Sequence, residues 1–555
     1  MNKKVCSFPI LFALLALLIG TCAVVFPASA QAAPTSTGSI TVSGTVARSY
    51  DAYQIFSANV VDGDSDAKIA TDLAWASDAV RDAALPVLHS AGMPNSQTTA
   101  QEAAEWLNAD SHLTSALSAQ LARSLQSSGA RPAALNAGTT AELPCGYWLI
   151  VADDDAIAQG EAGTAPIMAL VGGSAVTVKP KAATPKVSKH VLEDSTAAWQ
   201  KAADATVADD LYWRLSATVP AGLAAYDTYT VRFVDTMGAG LDPSKVAASM
   251  HVYVAAGAEG GFDAVQTGKD GRAGTEPAKG WTDITAQCAT KVAADGTFTV
   301  RTGDLIAALG GADAFTAGAR AVAVYNAPLN SACNHGIAKG NPNEVYLRYP
   351  RSPFADQSGD AGFARTPSDD ACAYTWDLAL TKRGSDGDKP LAGAVLSIAD
   401  DRGRTLAADS TWDARGKATV TTGEDGRVTV SGVDSGKLEV RELKAPKGYT
   451  AFEGTRSVTV KAEGLDVDQV AAAKPKLTIT AESPLRADSA NGSTGSLEAS
   501  LINTPAGTPP SITTGGFMPS TGDIAMYAAA AAAVAGAALI VVVLLVKRGG
   551  GSHKE

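Results

Sequence analysis

Three segments in the C-terminal third of this 555-residue chain alternate apolar and polar residues with a period of two, and each apolar row ends in a polar group. Trp376, Leu378, Leu380 and Lys382 fall on one side of an extended segment; Leu438, Val440 and Glu442 fall on one side of a second; Leu497, Ala499, Leu501 and Asn503 fall on one side of a third. A period of two belongs to a strand with one face on a core and the other in water, so the pattern commits the region to layered β structure. An unpaired Lys or Glu on such a face is costly, and groups held there pair with one another or shift toward their neutral forms. Taken singly, each polar end reads as a strand terminus reaching water or as half of a buried ion pair.

The same alternation organises the rest of the chain. Residues 31–181 carry strand signals at 39–46, 50–56, 147–151 and 175–178 around an Ala-rich helical stretch at 98–127, which reads as a β-rich domain with helical insertions. Two prolines in 179–186 mark a boundary. Residues 183–355 alternate at 229–233, 251–254, 297–300 and 344–349 between Gly/Pro turns, a sandwich pattern. A Ser/Asp/Gly/Pro-rich stretch, 356–371, reads as a linker, and 372–504 repeat the sandwich pattern with strands at 374–382, 395–398, 427–430, 438–442, 457–460 and 497–503. The expected fold class is therefore mainly β: two tandem immunoglobulin-like sandwiches behind an N-terminal β-rich domain, forming an elongated rod.

Both ends carry membrane signals. Residues 1–30 have a basic start, an apolar stretch at 5–26 and the small-residue site Ala28-Ser29-Ala30, the order of a secretory signal peptide with cleavage near Gln31. The 23 uncharged residues 524–546 would span about 34 Å as a helix, and Lys547 and Arg548 at the head of the 547–555 tail read as a cytoplasmic stop. A plain single-pass anchor fits that run. The flexible 505–517 segment and the pentapeptide Met518-Pro519-Ser520-Thr521-Gly522 immediately outside it favour presentation to a processing enzyme.

The formal charge of −12 argues against nucleic-acid binding, which needs a concentrated basic face, and suits an acidic extracellular protein. Outside the signal segment the cysteines are Cys145, Cys288, Cys333 and Cys372. They form no CxxC pair and the histidines are scattered, so no metal site is expected. One or two disulfides are expected outside the cell; the pairing stays open, with Cys333–Cys372 favoured. Acidic pairs such as Asp153 and Asp154 sit in turn-like runs without an accompanying motif, so solvated loops are expected there and not a hydrolase site.

The pentapeptide resembles the LPXTG-like sorting signal of Gram-positive surface proteins, with Met518 in place of the usual Leu. That resemblance implies a sortase cut between Thr521 and Gly522, with Thr521 as acyl donor and Pro519 kinking the peptide into the enzyme. The segments 380–382 with 388–395, 440–449 and 502–505 look like the Cna protein B-type domain, which implies an intramolecular isopeptide bond with Lys382 as nucleophile, Asn503 as amide acceptor and Glu442 as catalytic acid. Such a bond would close 121 residues and, if it acts on the unfolded chain like a disulfide, contribute about 4 to 5 kcal/mol. It would also let pulling force bypass the interior of the domain.

Residues 187–191 and 231–241 resemble the Cna protein A-like domains of pilins, which implies Lys189 as nucleophile and Asp235 as catalytic carboxyl. The family places the acceptor Asn after the final strand in a Tyr-x-Asn context, whereas here Tyr349 is followed by Pro350 and Arg351. Asn341 and Asn343 share a face, but eight residues of strand from Asn343 to Arg351 span about 26 Å, so neither is expected to substitute without a different geometry. A disulfide among Cys288, Cys333 and Cys372 would be an alternative staple. Val176-Thr177-Val178-Lys179-Pro180-Lys181 resembles the pilin motif, with Gly172 where Trp stands in the family and Lys179 where Tyr stands. It implies that Lys181 joins subunits, with Lys179 as its competitor.

These segments together are similar to the backbone (shaft) pilins of sortase-assembled, type-2-like fimbriae. The resemblance implies a structural subunit without cofactor or turnover activity, held briefly at the membrane and then anchored to the cell wall. Its implied partners are pilin-specific and wall-anchoring sortases, identical subunits, accessory pilins, peptidoglycan and a host receptor. The alternative is a monomeric wall-anchored adhesin or an accessory pilin.

Overall fold

The computed structural model describes residues 36–507, except 45–47, 65–66, 110, 158–159, 181–183, 221–222, 258–279 and 317. The signal segment, Lys181, the 518–522 motif, the 524–546 run and the tail lie outside the described residues, among which no helix is long and apolar enough to cross a membrane.

In the first domain the long strand Ser49–Asp62 lies between Lys68–Trp75 and Gly146–Ala152, with Ile167–Val171 beyond. Alternation divides its residues between two cores. Tyr53 and Ile55 pack with Leu149 and Val151 against helices, while Tyr50 and Ala52 pack with Trp148 and Ile150 against a three-stranded sheet of Thr140–Pro144, Thr37–Val42 and Val176–Val178. The helical stretch expected over 98–127 is two helices, Ala100–Asn108 and Ser115–Ser127. Each starts on its own cap: Thr99 forms a capping box with Glu102, and the Thr114 hydroxyl accepts from the Leu117 amide. A third helix, Asp78–Ser90, contains Pro86, a residue that argues against helix in a sequence reading.

The second domain is a sandwich of two sheets. One has the order Ala198–Gln200, Val187–Glu193, Tyr212–Thr218, Arg320–Asn326, His251–Ala255, Thr282–Asp283. The other runs Ala202–Asp204, Asp369–Tyr374, Asn341–Pro350, Arg232–Met237, Thr297–Arg301, Ala289–Val292, with Phe363–Arg365 paired to Asn341–Pro350. Residues 356–371 are thus not simply a linker: Phe363–Arg365 and Asp369–Tyr374 are strands of this sheet, because Phe363, Ala364, Ala371 and Ala373 bury apolar side chains despite the polar residues around them.

The third domain is also a sandwich. One sheet contains Arg427–Val433, Trp376–Gly384, Ser496–Pro505, Tyr449–Thr450 and Leu485–Asn491; the other is built on Val395–Ala399, Gly436–Lys444, Thr455–Glu463 and Lys476–Ala481. Trp376–Gly384 and Ser496–Pro505 are parallel neighbours, so the first and last strands of the domain lie side by side.

Among the described residues Cys145, Cys288, Cys333 and Cys372 are all free thiols, which corrects the expected disulfide. Cys145 is buried in the first domain and the Cys288 thiol donates to the Ile284 carbonyl. The segments bearing Cys333 and Cys372 are tied instead by Asn341, whose amide donates to the carbonyls of Asn334 and Ala373. Burial pushes the Cys333 and Cys372 thiols up to about 11, away from the thiolate.

The second and third domains meet over a polar joint. An Asp204 carboxylate oxygen accepts from Trp376 Nε1 at 2.6 Å and from the amide and hydroxyl of Ser435 at 3.0 and 2.5 Å. Arg402 and Arg404 pair with Asp209 at 2.6 and 2.5 Å. Glu193 accepts the Asp204 amide and the Ser195 amide, and burial followed by the nearby Asp204 charge pushes its pKa up from 4.5 to about 8. Because the folded state favours the neutral acid, this contribution is full below pH 4.5 and is lost as pH rises through about 8. The stability of the chain is therefore expected to fall across that window. Glu193→Gln should flatten this part of the profile in melts recorded from pH 5 to 9, and an unaltered profile would sink the assignment.

Candidate functional site

The parallel register of the third domain sets Lys382 opposite Leu501 and Gly384 opposite Asn503, so Lys382 and Asn503 are diagonal neighbours on one face. Glu442 reaches them across the core from Gly436–Lys444 in the facing sheet. Lys382 Nζ donates to Asn503 Oδ1 and lies 3.2 Å from Glu442 Oε1, while Asn503 Nδ2 donates to that same oxygen at 2.9 Å. The other Glu442 oxygen accepts the Phe452 amide at 3.1 Å. The side chains of Lys382 and Glu442 are 0% exposed, and burial, opposed by Glu442, brings the lysine down to about 8. An amine near its neutral form therefore touches a side-chain amide whose nitrogen rests on a carboxyl group. These are the parts needed for amide transfer with loss of ammonia.

The second domain holds a related cluster. Lys189, from Val187–Glu193, forms a short ion pair with Asp235, from Arg232–Met237 in the opposite sheet, and both are fully buried. Lys189 Nζ also donates to the Tyr325 hydroxyl at 2.9 Å, which in turn donates to Asp235 Oδ2 at 3.1 Å. Burial lowers Lys189 to about 8 and raises Asp235, each against the pull of the other, so both move toward the neutral pair.

The amide in this cluster is Asn343, whose Nδ2 donates to the Tyr325 hydroxyl at 2.9 Å. This is a different geometry from an acceptor placed after the final strand, the condition under which Asn343 could substitute. Asp235 pairs with Val345 and Met237 with Asn343, so Asn343 is diagonal to Asp235 on the same face, and the distance to the strand end at Arg351 is irrelevant. Arg351 lies at the other end of the strand, donating to the Asp154 carbonyl of the first domain and to Ala361. Asn341 is occupied between Asn334 and Ala373.

A second buried lysine supports the first. Lys201 Nζ donates to the Lys189 carbonyl at 2.9 Å and pairs with Asp369, whose carboxylate also accepts the Lys189 amide at 2.6 Å. Sequence reasoning missed Tyr325, Lys201 and the role of Asn343. The signal for Tyr325 lay in the strand Arg320–Asn326, where it follows Ala321 and Ala323 on the inward face: a hydroxyl placed over small residues needs a buried partner.

The other expected site residues are spread along the chain. Lys179 is exposed just after the strand Val176–Val178, while Lys181, Met518, Pro519, Ser520, Thr521 and Gly522 lie outside the described residues. Asp153 accepts from the Ser49 hydroxyl and the Asp155 amide, a structural turn.

Residues 377–474 match the family model for the SpaA prealbumin-like fold domain. A curated relative, the trypsin-resistant surface T6 protein of Streptococcus pyogenes serotype M6, is 30% identical over 143 residues, which cover 24% of each chain. The chain thus spans about a quarter of the length of the curated relative it matches. Among solved structures, the T6 backbone pilin of serotype M6 Streptococcus pyogenes is similar at 17% identity and a TM-score of 0.45, covering 85% of this chain and 98% of that one. The full-length major pilin SpaD from Corynebacterium diphtheriae is similar at 15% identity and a TM-score of 0.39, with the same coverages of 85% and 98%.

Proposed function

We propose that the chain is the structural shaft subunit of a covalently polymerised, wall-anchored pilus, stabilised by isopeptide bonds within its second and third domains. The observation that carries the reading is the contact of Lys382 with Asn503 over Glu442 in a fully buried site, where neither a substrate nor solvent has reason to reach. Each domain would react once, on itself. Lys382 Nζ attacks the side-chain carbon of Asn503, Glu442 moves the protons, and ammonia leaves. In the second domain Lys189, Asp235 and Asn343 take the same roles.

Polymerisation would use residues at the two ends of the subunit. A sortase cleaves between Thr521 and Gly522, and the Thr521 acyl group passes to Lys181 of a neighbouring copy, discarding the 524–546 run. The match of 377–474 to a SpaA domain and the partial likeness to a surface T6 protein support this reading. Accessory pilins, peptidoglycan and a host receptor are its further partners.

Lys181→Ala is expected to abolish the ladder of bands that survives boiling in SDS, while leaving monomer secretion and both internal bonds intact. Lys179→Ala should leave the ladder. The opposite pattern would move the joint to Lys179, and wall-linked monomer without any ladder from the unaltered chain would favour the solitary adhesin.

A further inference from the structure

The two buried clusters differ in how the carboxyl group meets the amide. In the third domain one oxygen of Glu442 contacts both Lys382 Nζ and Asn503 Nδ2. In the second domain a hydroxyl stands between the corresponding groups: Tyr325 accepts from Lys189 Nζ at 2.9 Å and from Asn343 Nδ2 at 2.9 Å, and donates to Asp235 Oδ2 at 3.1 Å. Asp235 Oδ1 and Asn343 Oδ1 have no hydrogen-bond partner. The Tyr325 ring is wholly buried and packs edge-on against Phe298, with ring centres 4.8 Å apart. The hydroxyl is thus fixed in place and touches the nucleophile, the leaving nitrogen and the acid.

We infer that Tyr325 is a catalytic residue of isopeptide formation in the second domain, relaying a proton from Asp235 to the departing nitrogen of Asn343. The inference rests on the isopeptide reading of Lys189 and Asn343. Lys189 first gives a proton to Asp235, leaving a neutral amine and a neutral acid. The amine attacks Asn343 Cγ, forming the new C–N bond and an alkoxide at Oδ1. Tyr325 passes its hydroxyl proton to Nδ2 and takes one from Asp235; the Cγ–Nδ2 bond then breaks, the carbonyl re-forms and ammonia leaves. Asp235, again a carboxylate, removes the remaining extra proton from Nζ. Five N–H protons on the lysine and amide at the start become one on the new amide, three on ammonia and one on Asp235, so atoms and charge balance.

A phenol is suited to this work because it accepts and donates at one atom, and burial holds its own pKa well above 10, so it stays a neutral relay and does not become a phenolate. The smaller Asp235 needs such an extension, whereas Glu442 carries one more methylene and reaches its amide unaided.

The test is Tyr325→Phe in the full chain, which keeps the ring and removes the oxygen, followed by intact mass and peptide mapping over time after a pulse of synthesis, before either bond has formed. The third-domain bond is the internal control and should form at the unaltered rate. The Lys189–Asn343 bond should slow by about 100-fold, the usual scale of a single positioned proton donor. Bond formation at the original rate would overturn the proposal. Absence of the Lys189–Asn343 bond from the unaltered chain would instead sink the underlying isopeptide reading. Should the Phe variant not fold, 3-fluorotyrosine placed at 325 decides: it preserves shape and acidifies the hydroxyl, so a relay changes rate and a packing role does not.

Discussion

Glu442→Gln is expected to leave the third domain uncrosslinked, so that the chain retains the ammonia, about 17 Da, that the unaltered protein would lose there under the proposed chemistry. The substitution preserves shape and the acceptor for the Phe452 amide, but a glutamine cannot collect the proton that Lys382 must shed. Without the bond, the 121-residue span from Lys382 to Asn503 is free in the unfolded state, and the domain should be less stable by about 4 to 5 kcal/mol. Denaturant titration of the variant against the unaltered chain measures this, and peptide mapping reads the bond. A Lys382–Asn503 peptide recovered in normal yield from the variant would remove Glu442 from the chemistry.

Asn343→Ala should have an effect of similar size in the second domain, and it separates two assignments of the acceptor. The segment from Lys189 to Asn343 is longer still, so loss of its bond should cost roughly 5 kcal/mol on the same model. The variant also leaves Lys189 and Asp235 as a buried, uncrosslinked ion pair, an arrangement with little net stability of its own. Arg351→Ala should keep the bond, because Arg351 serves the contact with the first domain through the Asp154 carbonyl. A Lys189 crosslink that survives Asn343→Ala would place the acceptor elsewhere.

The third-domain cluster was legible because local alternation placed its three residues and the resemblance to the Cna protein B-type domain grouped them. Lys382, Glu442 and Asn503 each end an inward row, and the rows lie at the strands where they were expected. The second-domain cluster was only half legible. Lys189 and Asp235 follow the same rule, but Asn343 sits near the start of its strand and not at the end, and its place beside Asp235 depends on cross-strand register, which no single segment encodes. The supposed linker failed for a related reason. Its composition is that of a loop, yet the few apolar residues at Phe363 and Ala371 to Ala373 find an open sheet edge, and tertiary pairing outweighs local polarity. The helix Asp78–Ser90 was obscured by Pro86, which the packing of Val80, Ala84 and Leu88 tolerates.

The strand Asp369–Tyr374 closes one sandwich and Trp376–Gly384 opens the next, so Thr375 alone connects them. It is wholly buried, its hydroxyl donates to the Val433 carbonyl and its own carbonyl accepts the Gly336 amide. A joint of one residue with its hydroxyl and its carbonyl committed has little slack to wind. Torque applied to one sandwich must therefore be delivered to its neighbour as rotation, and the pair responds to twisting as a single shaft coupling and not as beads on a string.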